Sequence, residues 1–237
     1  MTSRRVLVTG TTSGIGAGLA EAFVAHGARV CGVARRPTQL EGVTVIEADL
    51  SVEADARRAV AAAVAALGGL DAVVHAAGVW EAGPIASVHQ AHVERLFAVN
   101  TFSAFWLISA VAALPDAGPI SVVLIGSTAG QRGEPNHAAY AASKAALWGL
   151  VQSAAQELAP RVRVNLVSPG WVRTPMVDAH LDAETEARIV AGIPNHRLGT
   201  VADCVGVCEF LMSDAASHLI GVDLPVSGGA LLPVKAR

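Results

Sequence analysis

The stretch "RVLVTGTTSGIGAGLAEAFVAHG", residues 5–27, decides how the rest of the chain reads. "RVLVTG" is an apolar run stopped by Gly10, the pattern of a buried strand, and "GIGAGLAEAFVAHG", 14–27, has helical periodicity with a closing glycine. The turn between them, "TGTTSGIG", sets Gly10, Gly14 and Gly16 among Thr12, Ser13 and Ile15. Glycines there let the backbone turn tightly and approach a phosphate, and the helix N-terminus offers free N–H groups to the anion. A glycine-rich turn is weak by itself. A strand before it and a helix after it supply the context that a nucleotide-binding turn needs. Its spacing, Gly-x-x-x-Gly-x-Gly, departs from the general dinucleotide fingerprint Gly-x-Gly-x-x-Gly.

Working outward, the alternation continues. "ARVCGVA" (28–34), "VTVIEAD" (43–49), "LDAVVHAAG" (70–78), "PISVVLIGS" (119–127), "RVRVNLVSPG" (161–170) and "GVDLPVSGG" (221–229) read as strands. Helices are expected over 51–69 with Ser51 as cap, over about 88–113, over about 138–159 and over 201–213. "RRPTQLEG", 35–42, is too short and proline-broken for more than a turn of helix. Near-continuous apolar strands separated by helices imply a parallel sheet covered on both faces. The fold class expected is therefore α/β, a Rossmann-type doubly wound sheet of about seven strands in a single domain over 1–237. The one polar, strand-poor interval, about 174–200, reads as a helical excursion where a lid would lie.

Composition narrows the class. Hydrophobic residues at 52 % against 16 % charged exclude a disordered chain. A net charge of −3 without a long basic run argues against nucleic acid as partner. "MTSRR" leads directly into a strand rather than a signal peptide, and "AFWLISAVAAL" falls short of the roughly 20 residues that span a bilayer. A cytoplasmic protein without a membrane span is expected. Cys31, Cys204 and Cys208 are too few and too odd in number for a disulfide framework. Cys204 and Cys208 share a helix face, but a metal site would want two more nearby ligands, so buried apolar thiols are expected and no metal.

About 20 residues past the glycine turn, an acidic side chain would bind the ribose 2′-hydroxyl of NAD. This chain has "GVARRP" there. Arg35 and Arg36 offer guanidiniums that can hydrogen-bond a 2′-phosphate, which favours NADP over NAD, the other reading being surface arginines at a strand end. In "HAAYAASKAAL", 137–147, Tyr140 and Lys144 stand one helical turn apart on one face. An ammonium beside a phenol is expected to lower its pKa, which suits proton transfer near neutral pH.

With "TGTTSGIG" and "YAASK" in one chain, the sequence resembles the short-chain dehydrogenase/reductase family, in its compact single-domain branch, along its full length. "ADL", 48–50, matches the third-strand position whose aspartate flanks the adenine, which places Asp49 and Leu50 there. Asn100 in "AVNTF" matches the asparagine of the long helix, and Ser127 lies 13 residues before Tyr140, the family's usual interval. "NLVSPGWVRT", 165–174, matches the segment closing over the nicotinamide. Two departures stand out. "HAAG", 75–78, replaces the frequent Asn-Asn-Ala-Gly, which puts the bracing of that strand in doubt, and Ser227 replaces an aspartate near the C-terminus.

The resemblance implies an NADP(H)-dependent oxidoreductase acting on a small carbonyl compound or secondary alcohol. Tyr140 would be the proton donor and acceptor, Lys144 would hold the nicotinamide ribose and lower the tyrosine pKa, and Ser127 would donate to the carbonyl oxygen. Asn100 would hold a water linking Lys144 to solvent. Ala77 and Gly78 would allow close approach to the cofactor. Pro169, Gly170, the Val172 backbone and Thr174 would line the nicotinamide side. A homotetramer or homodimer is implied, with the Tyr140 helix and the 88–113 helix across one two-fold axis and the tail "GGALLPV" across another. The alternatives are an NAD-using alcohol dehydrogenase and a non-catalytic nucleotide-binding regulator on the same fold.

For the substrate, Trp80, Gln131, Glu134, His137, Trp171, Met176 and parts of 177–195 are candidate walls. Two tryptophans and a methionine fit an apolar or ring-bearing substrate, or equally the packing of a lid on the body. His75 reads as a strand-end residue rather than a catalyst.

Overall fold

A computed structural model describes residues 3–115 and 118–233. The strands are β1 (Arg5–Thr9), β2 (Arg29–Ala34), β3 (Val43–Glu47), β4 (Ala72–His75), β5 (Ile120–Ile125), β6 (Val162–Pro169) and β7 (Asp223–Val226). They form one seven-stranded sheet in the order β3-β2-β1-β4-β5-β6-β7, and every neighbouring pair is parallel. The helices are α1 (Gly14–Ala25), α2 (Glu53–Leu67), α3 (Gln90–Phe97), α4 (Ser103–Ala112), α5 (Thr128–Arg132), α6 (Ala138–Leu158), α7 (Pro175–Asp178), α8 (Ala183–Ala191) and α9 (Val201–Met212). The expected doubly wound sheet is the one observed. The strand order reverses between β1 and β4, and a ligand crevice belongs outside the carboxyl ends of the strands at such a switch point.

The alternation of strand side chains explains the two layers of helices. Leu7, Val73, Val122, Leu124 and Val164 enter a core with α2, α4 and α6. Their neighbours Val6, Val8, Val74 and Val123 enter a second core with α1 and α9. Period-two strands with both faces apolar must be covered twice. Each fully buried Val or Leu contributes about 1.5–3 kcal/mol of transfer free energy. All three cysteines are buried and free, and burial pushes the Cys204 and Cys208 thiols up, which keeps them protonated.

Several boundaries differ from expectation for local reasons. Helix α2 starts at Glu53 with Val52 at the cap position, not Ser51. The Ser51 hydroxyl donates instead to Asp49 Oδ1 at 2.7 Å, while Asp55 Oδ2 accepts from Asp49 N at 2.9 Å. The short α5 was not expected; Ser127 starts it, its Oγ accepting from Ala129 N at 3.1 Å. Helices α3 and α4 join through a π-helical turn, Ala98–Phe102, into one run Gln90–Ala112 of 23 residues. That run is longer than "AFWLISAVAAL" suggested and long and apolar enough to span a bilayer by length and composition only, and half of its apolar window is buried inside the fold, as in a core helix. The interval 174–200 carries α7 and α8, and Val172 bridges Gly199 at its base. Of the tail "GGALLPV", Val234 lies outside the described residues.

Candidate active site

The crevice opens at the switch point, and the glycine turn forms its floor. Gly10 has φ +74°, and a Cβ there would come within 2.8 Å of Ala77 N and Cα, so β1 and β4 can close up only around glycine. A Cβ on Gly16 would press into the Gly10 carbonyl, with Thr9 O at 2.8 Å. Ser13 occupies the cap position of α1 but makes no side-chain cap hydrogen bond. The first N–H groups of α1 therefore remain available to an anion, as a phosphate site requires. Thr12, Ser13, Gly14 and Ile15 line the same floor.

One wall carries Arg35 and Arg36 at the end of β2 and Asp49 and Leu50 at the end of β3. The opposite end carries Ala77, Gly78, Ser127, Tyr140 and Lys144, closed by Pro169, Gly170, Val172 and Thr174. These expected positions therefore meet in one cleft. Asn100 does not line it and is fully buried behind. Sequence reading missed Val79, Val99, Ser103 and Thr128, which also line it; they are ordinary core-type residues with no distinguishing local pattern. The cleft fits a dinucleotide on its own geometry: a cradle that a Cβ would fill, a free helix N-terminus and two guanidiniums at one end.

The side chains around Tyr140 are held individually. Lys144 is buried, its Nζ donates to Ile125 O at 2.9 Å, and burial pushes its pKa down to about 8. Burial pushes the Tyr140 phenol above its usual value, opposed by the Ser127 hydroxyl. The expected lowering of the phenol by Lys144 is thus not found here: burial dominates, and the opposing influence is the Ser127 hydroxyl rather than the lysine. Ser127 accepts from Ala129 N, which leaves its own proton free to donate. Asn100 sits in the π-helical turn, a geometry that re-aims one side chain out of the helical register. Its Oδ1 accepts from Val79 N at 2.8 Å, and its Nδ2 donates to Val79 O at 2.9 Å and to Ser143 Oγ at 3.0 Å. The side chain braces the Val79 loop against α6, a role the sequence did not suggest. Thr174 Oγ1 caps α7, accepting from Val177 N at 3.4 Å, and the Thr174 Cβ and Cγ2 lie 3.5 Å from where a Gly14 Cβ would be.

The replacement at "HAAG" has a structural answer. His75 is fully buried, with Nδ1 2.9 Å from Thr9 Oγ1 and Nε2 2.9 Å from Ser103 Oγ. Ser103 gives its proton to Val99 O at 2.6 Å, and Thr9 Oγ1 accepts from Ala77 N at 3.1 Å. Ser103 must then accept from Nε2–H and Thr9 must donate to Nδ1, which assigns the neutral Nε2–H tautomer. Burial, and then the nearby Lys144 charge, push the ring down to about 3. The imidazole braces β4 to β1 and to the start of α4, a brace that stands where the asparagine pair is missing.

At the substrate end, Trp80, Glu134, Trp171, Met176 and Val177 line the cleft. His137 does not; it stacks on Trp80 with centroids 4.8 Å apart, and its Nδ1 meets Pro135 O at 2.9 Å. Gln131 does not either, because its amide donates to Asp223 Oδ2. Arg161 and Arg163 bond backbone carbonyls at Ala112 and Leu211, away from the cleft.

A family model described as Enoyl-(Acyl carrier protein) reductase matches residues 10–230. The chain is 33 % identical over 229 residues to the 3-oxoacyl-[acyl-carrier-protein] reductase MabA of Mycobacterium tuberculosis, covering 96 % of this chain and 92 % of that protein. It is 33 % identical over 236 residues to the 2,5-dichloro-2,5-cyclohexadiene-1,4-diol dehydrogenase LinX of Sphingobium indicum, covering 94 % of each. Among solved structures, a short-chain dehydrogenase/reductase (glucose/ribitol dehydrogenase) from Brucella melitensis superposes with TM-score 0.91 at 33 % identity, covering 98 % of both chains.

Proposed function

This chain belongs to the short-chain dehydrogenase/reductase family of oxidoreductases, and from that premise we propose that it is an NADP(H)-dependent enzyme interconverting a carbonyl and a secondary alcohol, working mainly as a reductase. The observation that carries the reading is the shared cleft: Ser127, Tyr140 and Lys144 face one end of it and Arg35 and Arg36 the other, with the glycine turn between. The arginines suit a 2′-phosphate, the α1 N-terminus the pyrophosphate, and the segment Pro169–Thr174 the nicotinamide. Bound NADPH supplies the hydride for the carbonyl carbon.

The chain's own groups do the rest. Tyr140 gives its phenolic proton to the carbonyl oxygen as negative charge builds there. Ser127 turns its hydroxyl from the phenol to the same oxygen, donates to it and stabilises that charge. Lys144 uses one N–H on Ile125 O and keeps two for the ribose hydroxyls. Asn100 positions the Val79 loop and α6 around these groups. Residues 174–200 act as the lid, held by Arg173 to Asp178 and Glu186.

A small substrate is favoured over a carrier-bound thioester of the kind in MabA's name. Arg132 and Arg173 near the mouth are already paired with Glu134 and with Asp178 and Glu186, which leaves little unpaired positive charge for an acidic carrier. A homotetramer or homodimer is supported by Phe102, Phe105 and Trp148, each more than two-fifths exposed on the adjoining Gln90–Ala112 run and α6.

The test is NADPH oxidation followed by absorbance against ketones, quinones, ring ketones and 3-oxoacyl thioesters, with Tyr140→Phe alongside. Turnover that collapses in the variant supports the reading. Tight NADPH binding without turnover on any of them refutes the reductase and favours a nucleotide-binding regulator.

A further inference from the structure

The geometry points to an uncharged, ring-bearing carbonyl compound as the substrate, selected by the flat wall of Trp80 and by the Glu134 carboxylate. This rests on the reductase reading above and deepens it.

Three rings from three separate segments fix the Trp80 indole. His137, at the start of α6, stacks on it at 4.8 Å with planes 10° apart. Trp171, after β6, meets it edgewise at 5.9 Å and 81°. His180, past α7 in the lid interval, meets it edgewise at 5.1 Å and 72°. An indole held on several sides is a wall that does not have to be ordered when a ligand arrives. Such a wall discriminates by the ligand's own stiffness. A flat ring loses little internal freedom against it and gains up to about tenfold in affinity from ring–ring contact beyond the area buried. A flexible acyl chain of the same carbon number loses rotamer freedom and gains no such contact. Trp171, Met176 and Val177 continue the same apolar surface around the Tyr140 end.

Charge sets the second condition. Among the described residues lining the cleft, the cations are Arg35 and Arg36 at the β2 end and Lys144 beside Tyr140. On the substrate side the acidic side chain lining the wall is Glu134. Its partner Arg132 holds Oε2 at 3.2 Å without lining the cleft itself. A substrate bearing a carboxylate or phosphate would find no unpaired guanidinium at this end of the cleft, since Arg132 is already held by Glu134 and Arg35 and Arg36 stand at the other end. A neutral substrate meets no such penalty, and a hydroxyl on its ring would find an acceptor in Glu134.

The experiment compares three ketones with NADPH as reductant: 2-tetralone, 2-decanone with the same number of carbons, and 6-carboxy-2-tetralone. They are run on the wild type, Trp80→Leu, Trp80→Phe and Glu134→Gln, with NADPH binding measured on each as the check on folding. The expected result is kcat/KM about tenfold higher for 2-tetralone than for 2-decanone. Trp80→Leu should erase that preference, and Trp80→Phe should keep most of it. The carboxylated ketone should be about tenfold poorer than 2-tetralone on the wild type and recover in Glu134→Gln. Equal use of the ring and chain ketones, or a ratio that Trp80→Leu leaves unchanged, overturns the ring assignment. A carboxylated ketone used as well as the neutral one overturns the charge assignment. Both results leave the reductase standing. NADPH binding with no ketone turned over instead overturns the reductase reading, and this inference with it.

Discussion

The His75→Leu substitution tests whether a neutral imidazole braces the floor of the cleft. Near pH 7 it should cost about 2–4 kcal/mol, because two buried hydrogen bonds disappear and the Thr9 hydroxyl is left with no acceptor at a fully buried position. Acid should then shrink that cost. Burial pushes the folded-state pKa of His75 down to about 3 from the ordinary 6.5. Above pH 6.5 both states carry a neutral ring and the shift contributes nothing. Below it the unfolded chain takes up a proton that the folded chain refuses. Stability is therefore lost as the pH falls, by up to about 1.4 kcal/mol per pH unit, until the folded ring also titrates. From pH 7 to pH 5 the wild type should lose about 2 kcal/mol through this one residue, and His75→Leu should lose none of it. Urea unfolding of both proteins at fixed protomer concentration across that range gives the gap directly, since the other titrating groups cancel in the difference. A gap that stays constant or widens as the pH falls would refute the buried neutral ring and the tautomer assigned from its partners.

Four further outcomes are expected. Gly16→Ala should cost about 1–3 kcal/mol and abolish NADPH binding, because its Cβ meets the backbone of Gly10 and Thr9 rather than a movable side chain. Gly206→Ala on the exposed face of α9 is the contrast: its Cβ meets nothing within 4 Å, and it should stabilise by about 0.5–1 kcal/mol in the same unfolding assay. Arg35→Asp should raise the NADPH dissociation constant about tenfold or more and improve NADH, read by fluorescence titration, and unchanged NADPH affinity would remove the 2′-phosphate role. Tyr140→Phe should lower kcat by about 100- to 10,000-fold while NADPH binding persists, in single-turnover measurements.

Much of this protein is legible in its sequence because the signals are local or periodic. The apolar alternation of "RVLVTG" and "PISVVLIGS" needs both faces of a sheet covered whatever lies around them. Gly10 and Gly16 announce a turn where a side chain has no room, and Tyr140 and Lys144 share a helix face by spacing alone. What the tertiary structure decided depends on neighbours far away in the chain. His75 reads as an odd strand end until Thr9 and Ser103 are brought to its two ring nitrogens. Asn100 meets Val79 and Ser143 from within a π-helical turn, and no residue pattern marks that turn. The Tyr140 phenol is pushed up rather than down, since desolvation depends on everything packed around it and not on one lysine a turn away. Trp80 became a fixed wall when His137, Trp171 and His180 met it from three directions. Spacing sets which side chains share a face, but burial and partners in space set what those side chains do.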